Sequence, residues 1–316
     1  MDDNATAMRG RRVVIFGAGG QDGPYVAAAC RRCGAEVHGY SRSTSPACDI
    51  SRYAAVEAII RDNRPDYVFQ LAADSRTSHD ALFSNHEAIA GGTVNILEAA
   101  HRHAPHARVL LAGSGLQFAN KGLPINENAP FDAGSPYAAA RIYATYLARY
   151  YREKIGLATY VAYLFHHESP ARTARHTSKM IALAAARAAL GGEGKIVLGD
   201  LFVEKEWTFA GDIAEGMVQL ILQDRSFEAV IGSGEGHTIR DWTEACYASV
   251  GLDWRTYVST RSDFVAEYPR LISDPGTIRA LGWQPSVGFA DLARMMVEAA
   301  RVELTVTEKK EEGATS

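Results

Sequence analysis

Val13-Val14-Ile15-Phe16-Gly17-Ala18-Gly19-Gly20-Gln21-Asp22-Gly23 is the stretch that decides the fold. The run of apolar residues closed by glycines reads as a short buried strand. The Ala-rich segment Tyr25 to Arg32 that follows reads as a helix. Between them Gly17, Gly20 and Gly23 form GxxGxxG. A diphosphate needs backbone N–H groups and a helix N-terminus with no side chain in the way. The spacing alone is a weak signal, but its position between a strand and a helix is the context a dinucleotide site requires.

Outward from that loop, strand and helix patterns alternate. Ala35–Tyr40, Tyr67–Leu71, Val109–Ala112 and Thr159–Leu164 read as strands, and Tyr53–Asp62, Thr93–Arg102 and Pro136–Tyr151 as helices. The last of these opens with Ser135 as N-cap and proline at its first position. Alternation of this kind predicts an α/β, Rossmann-type doubly wound parallel sheet, with function beyond the carboxyl ends of its strands. Residues 1–170 are expected to form the dinucleotide-binding domain, with later segments returning to it. Beyond Pro170 the pattern loosens into helices at Ser178–Leu190, Asp212–Leu222 and Thr238–Val250 and a strand at Lys195–Leu198. Residues 171–303 therefore read as a smaller C-terminal α/β substrate-binding lobe closed by a helix at Phe289–Glu303, and 304–316 as a polar, disordered tail.

The chain has 316 residues, 47% of them hydrophobic and 22% charged, which fits an ordinary globular protein. With 33 basic against 37 acidic residues it lacks the basic excess of a nucleic-acid or membrane-surface protein, so neither partner is expected. No apolar run is long enough for a membrane span, and Met1 to Arg12 does not read as a signal peptide. Four cysteines make no disulfide framework, and the histidines at 101, 103 and 106 lack partners for a metal, so no metal is expected. A cytoplasmic location follows.

The second strand ends in Tyr40-Ser41-Arg42-Ser43. An NAD site usually carries an acidic residue there for the ribose 2′-hydroxyl. Arg42 suits a 2′-phosphate instead, so NADP is favoured and NAD remains possible. Asp49 and Ile50, after the next short segment, are placed at the adenine edge. The fourth strand leads into Ser114, and Tyr137 opens the long helix with Arg141 four residues on, on the same face. A fixed cation lowers a phenol's pKa, and a nearby serine hydroxyl can share its proton. Ser114, Tyr137 and Arg141 thus form a candidate acid–base set for moving the proton of a sugar hydroxyl while hydride moves to or from nicotinamide.

Several segments together resemble the extended short-chain dehydrogenase/reductase family, and within it the GDP-mannose 4,6-dehydratases. They are Gly20-Gln21-Asp22-Gly23, Leu71-Ala72-Ala73-Asp74-Ser75, Ser135-Pro136-Tyr137-Ala138, Phe165-His166-His167-Glu168-Ser169-Pro170, Leu198-Gly199-Asp200-Leu201 and Leu281-Gly282-Trp283-Gln284-Pro285. The resemblance runs from about residue 12 to 303. It implies a bound cofactor contacted by Gly17, Gly20, Gln21, Asp22, Gly23, Leu71, Ala72, Ala73, Tyr137, Arg141 and His167. It implies a nucleotide-diphosphate sugar contacted by Ser75, Ser114, His166, Glu168, Arg172, Lys179 and Lys205. It also implies a homodimer or homotetramer in which the tyrosine helix and its neighbour pack across the interface.

Besides the diphosphate side, where Lys205-Glu206-Trp207 stands for the family's Arg-Asp-Trp and Phe264 falls near a family arginine, two catalytic positions depart from the family pattern. Arg141 stands where the family has lysine, and Leu116 where it has the glutamate that removes the C5 proton and helps expel the C6 hydroxyl. Arginine keeps the charge but relays no proton. Leucine performs neither task. Three readings follow: a C4 reductase or epimerase, which needs no such base; a true dehydratase in which Asp74, Glu168 or His167 substitutes; and a cofactor-binding homologue without turnover.

Overall fold

The computed structural model describes residues 6–261, 263–264 and 266–314, from 307 onward by the backbone alone. Five parallel strands come from the first half: β1 (Arg12–Phe16), β2 (Glu36–Tyr40), β3 (Tyr67–Gln70), β4 (Arg108–Ser114) and β5 (Thr159–Leu164). A sixth, Glu228–Ile231, returns from the second half and pairs in parallel with β5. Across the sheet the order is β2, β1, β3, β4, β5 and then Glu228–Ile231. The chain leaves β1 to one side for β2 and crosses to the other for β3, so the glycine loop stands where the direction of winding reverses. That crevice is where open α/β sheets bind ligands.

Alternation along each strand sends side chains to opposite faces. Val14, Phe16, Val68, Val109, Leu111, Val161 and Tyr163 pack with the helices Tyr53–Asn63 and Gly92–His103 in one core. Val13, Ile15, Phe69, Leu110, Tyr160 and Ala162 pack with Gly23–Arg32 and Ala210–Ile221 in the other. Burial on both faces explains why these strands read as continuous apolar runs. A third core, around the stacked rings of Trp207 and Trp242, joins Thr177–Ala189, Ile239–Ala248 and the last helix.

Three departures from the sequence reading have physical causes. The expected helix at Thr93 begins instead at Leu82, with a π-helical insertion at His86–Gly91. A side chain at Gly92 would fall 2.4 Å from Ile50 Cδ1, so a glycine there lets the helix approach. The strand Glu228–Ile231 is too short and too charged at its start to stand out. The last helix runs on to Ala314, so the segment from 304 read as a disordered tail is helical, in keeping with its glutamates and lysines. Residues 315 and 316 lie outside the described part. No helix among the described residues is long and apolar enough to cross a membrane.

Candidate active site

The glycine loop is fixed by contacts that exclude any β-carbon. Gly17 has φ +92°, and a Cβ there would lie 2.5 Å from Ala72 N, at the exit of β3. A Cβ on Gly23 would meet Ala18 at 2.5 Å. The loop thus lies flat against Leu71 and Ala72 and opens the helix Gly23–Arg32 with bare backbone. Ala73, beyond them, is exposed.

The loop is also tied to the exit of β5. Asp22 Oδ1 lies 3.0 Å from His167 Nε2, and His167 Nδ1 lies 2.7 Å from Phe165 O. Burial works against charge on both groups, but each outweighs it for the other: the imidazole pKa is raised and the carboxyl pKa lowered. Gln21 donates weakly to His167 O, and its buried Oε1 has no partner. At the end of β2, Arg42 is exposed, and the Ser41 and Ser43 hydroxyls, 3.0 Å apart, stand over Gly19. Asp49 is exposed and accepts from Ser51. Ile50 corrects the sequence reading in part: its side chain is buried in the core against Gly92 and its carbonyl accepts from Asn95, so the side chain does not face the crevice.

β4 and the tyrosine helix (Pro136–Tyr150) are stitched together at the crevice. The Arg141 guanidinium stacks 5.1 Å from the Tyr137 ring and donates to Ala112 O in β4. It is buried, with 5% of its surface exposed, yet its Nε has no partner. Ser114 ends β4 and caps the turn Gly115–Gln117: its Oγ accepts from Leu116 N at 3.2 Å, and its own N–H donates to Gln117 Oε1. Gln117 Nε2 donates to Thr145, so that amide is fully occupied. Leu116 is half-buried and packs on the cluster that holds Tyr137. Ser114, Tyr137 and Arg141 are therefore brought to one place.

The groups able to substitute for a missing carboxylate are all engaged. Asp74 is gripped by Arg76 and Ser84, and the Arg76 bonds hold its pKa well below the usual carboxylate range. Glu168 is fully buried; burial opposes its charge, but Arg172 at 2.8 Å keeps it ionised, while its other oxygen, 3.0 Å from His166 Nε2, has no hydrogen-bond partner. Burial lowers the His166 pKa to about 4, and its Nδ1 lies 2.6 Å from Glu206 O. His167 is held between Asp22 and Phe165.

Of the remaining expected ligands, Lys205 stacks 5.2 Å from the Trp207 ring, and no carboxylate pairs with it among the described residues. Ser75 accepts from Arg175, a residue the sequence reading did not single out; sequence alone does not place it across a gap of 100 positions. Lys179 is a second correction. It is 3% exposed and bound to Pro170 O and Glu303, so it joins two helices of the second lobe rather than facing the crevice.

With this geometry described, comparison with known proteins settles the kinship. The sequence profile of GDP-mannose 4,6 dehydratase matches residues 14–296. The chain belongs to the GDP-mannose 4,6 dehydratase family. This is a group of nicotinamide-dependent enzymes that act on nucleotide-linked sugars. Curated relatives include GDP-mannose 4,6 dehydratase 2 of Arabidopsis thaliana, 30% identical over 93% of this chain and 88% of that protein. The GDP-mannose 4,6-dehydratase of Sinorhizobium fredii is 29% identical over 92% and 97%. Among solved structures, RMD from Pseudomonas aeruginosa complexed with NADPH superposes with a TM-score of 0.82 at 19% identity, covering 93% of this chain and 99% of that one. A Thermus thermophilus UDP-glucose 4-epimerase complex with NAD gives 0.80 at 23%, covering 92% and 99%. Those two likenesses concern the fold.

Proposed function

We propose that the protein is an NADP-dependent nucleotide-sugar enzyme performing hydride chemistry at C4 of a nucleotide-linked hexose, of reductase or epimerase type. The observation that carries this reading is Leu116 beside Ser114 and Tyr137, with Asp74, Glu168 and His167 all engaged elsewhere. Dehydration needs an acid–base group at C5 and C6, commonly contributing about 10²–10⁴-fold; oxidation or reduction at C4 does not.

The crevice fits the cofactor: the cradle at Gly17 and Gly23 would be filled by any β-carbon, and the buried Arg141 Nε and Gln21 Oε1 have no partner in the protein. Gly17, Gly20 and Gly23 expose the backbone that meets a diphosphate. Ser41, Arg42 and Ser43 form a cationic, hydroxyl-rich end that favours NADP over NAD. Bound there, the cofactor supplies or takes up the hydride. Tyr137 gives or takes the proton of the C4 oxygen. Arg141, fixed by Ala112 O and stacked on the ring, stabilises the phenolate. The Ser114 hydroxyl already accepts from Leu116 N, so its own proton is free for the sugar oxygen. We assign Lys205, stacked on Trp207, as the sugar diphosphate's anion partner.

Incubating the protein with NADP or NADPH and a panel of nucleotide sugars, read by mass spectrometry, tests the proposal. Consumption of NADPH with a 4-keto sugar, or a mass-neutral change in chromatography, supports it. Loss of one water selects a dehydratase and overturns it, as does bound cofactor with no product.

A second copy of this chain is the partner we assign to the outer helices. Phe83, Tyr143, Tyr146 and Tyr150 are 77%, 48%, 58% and 51% exposed, around a groove of 320 Å³ lined by Leu82, Val94, Ala139 and Tyr143. Aromatic side chains gathered on one exposed face are the mark of a protein–protein contact. The four buried, unpaired cysteines suit a reducing, cytoplasmic setting.

A further inference from the structure

Gln117 is completely buried and Thr145 is 1% exposed, and neither takes part in the chemistry assigned above. Gln117 lies in the turn after β4. Thr145 lies on the tyrosine helix four residues beyond Arg141, and so on the face that carries Tyr137 and Arg141. One chain of hydrogen bonds joins the two elements. Ser114 N–H donates to Gln117 Oε1 at 2.9 Å, Gln117 Nε2 donates to Thr145 Oγ1 at 3.0 Å, and Thr145 Oγ1 donates to the Arg141 carbonyl at 3.1 Å. Gly113 leaves room for the amide: a Cβ there would lie 3.0 Å from Gln117 Oε1.

Each link restricts the residue that can make it. The Ser114 N–H can only donate, so the atom facing it is an oxygen. The Thr145 hydroxyl gives its proton to Arg141 O, so it accepts on its other side and needs a donor there. A side chain that accepts at one end and donates at the other is an amide. A turn cap alone asks only for the acceptor, which a glutamate supplies as well. The donor end is what carries the turn across to the helix. With Arg141 donating to Ala112 O, the strand that delivers Ser114 and the helix that delivers Tyr137 are fastened at two points, one before and one after the serine in sequence.

A proton passes between Ser114, the sugar oxygen and Tyr137 only over hydrogen-bond distances, and a shift of about 1 Å costs about 10²-fold in rate. We propose that Gln117 and Thr145 are positioning residues, an amide–hydroxyl tie that sets the Ser114 hydroxyl against Tyr137 for proton transfer at C4. The role rests on the C4 chemistry assigned above and adds the residues that align it.

The test is steady-state turnover of the full chain, with NADPH and GDP-4-keto-6-deoxymannose for a reductase and with NADP and UDP-glucose for an epimerase. Thr145→Val, equal in shape but without an acceptor, should lower kcat about 10- to 100-fold while KM changes less than about threefold. Thr145→Ser, which keeps the hydroxyl, should restore most of the rate. Gln117→Glu gives a readout that lost packing does not produce. As a neutral acid it accepts and donates as the amide does; ionised, it only accepts. Burial favours the neutral form, so its kcat relative to wild type should rise as pH falls from about 8 to about 6. A ratio flat across that range overturns the inference. So does wild-type kcat in Thr145→Val, a loss there carried by KM alone, or an equal loss in Thr145→Ser. A wild type inert with both substrates removes the C4 reading and this role with it.

Discussion

Arg141 concentrates the chemistry of the site in one side chain. It holds β4 through Ala112 O, lies against the Tyr137 ring and keeps one buried donor unpaired. Lysine, a flexible point charge, performs only part of this, so the exchange alters the site rather than conserving it. Tyr137→Phe keeps the ring and its stacking but removes the proton. Turnover with the productive nucleotide sugar should fall about 10²–10⁴-fold, while the sugar's Kd, measured by calorimetry, stays within a few-fold. Ser114 and Tyr137 were legible from strand and helix positions. The disqualification of Asp74, Glu168 and His167 was not, because it depends on contacts with Arg76, Arg172 and Asp22 whose distances no spacing rule conveys. Lys179 misled for the same reason: a cation beside a motif reads as a ligand until its partner, Glu303, is seen across the fold.

Among elements, the glycine loop and the exit of β5 act as one unit. Gly23→Ala places a Cβ 2.5 Å from the Ala18 backbone. It should lower stability by about 1–3 kcal/mol and weaken NADP binding, checked by thermal melts with and without cofactor. The Asp22–His167 pair adds a pH signature. His167 is raised above its ordinary 6.5, so its contribution is complete below that pH and disappears as pH rises through the higher folded value. Asp22 is lowered, so its share is present above about 3.8 and is lost as pH falls through the depressed value. The Tm gap between wild type and His167→Gln should therefore be widest near pH 6 and close at alkaline pH. A gap that widens with alkali would contradict the pairing. The central strands were readable because both faces are buried and their sequences are nearly all apolar. The helix from Leu82 was not, since the π-helical insertion at His86–Gly91 breaks its 3.6-residue period.

At the scale of the whole molecule, the exposed aromatic face predicts self-association. Tyr143→Glu should convert a dimer into monomers in sedimentation velocity, leaving the circular dichroism spectrum unchanged; a wild-type monomer would refute the assignment. The sheet has a further consequence. Glu228–Ile231 covers one side of β5, and Ala210–Ile221 covers the face carrying Leu110, Tyr160 and Ala162. A nascent chain halted near residue 170 would display an uncapped edge and a bare apolar surface. The cofactor half thus cannot mature on the ribosome ahead of the rest, and an expression fragment cut at that point should precipitate rather than bind nucleotide.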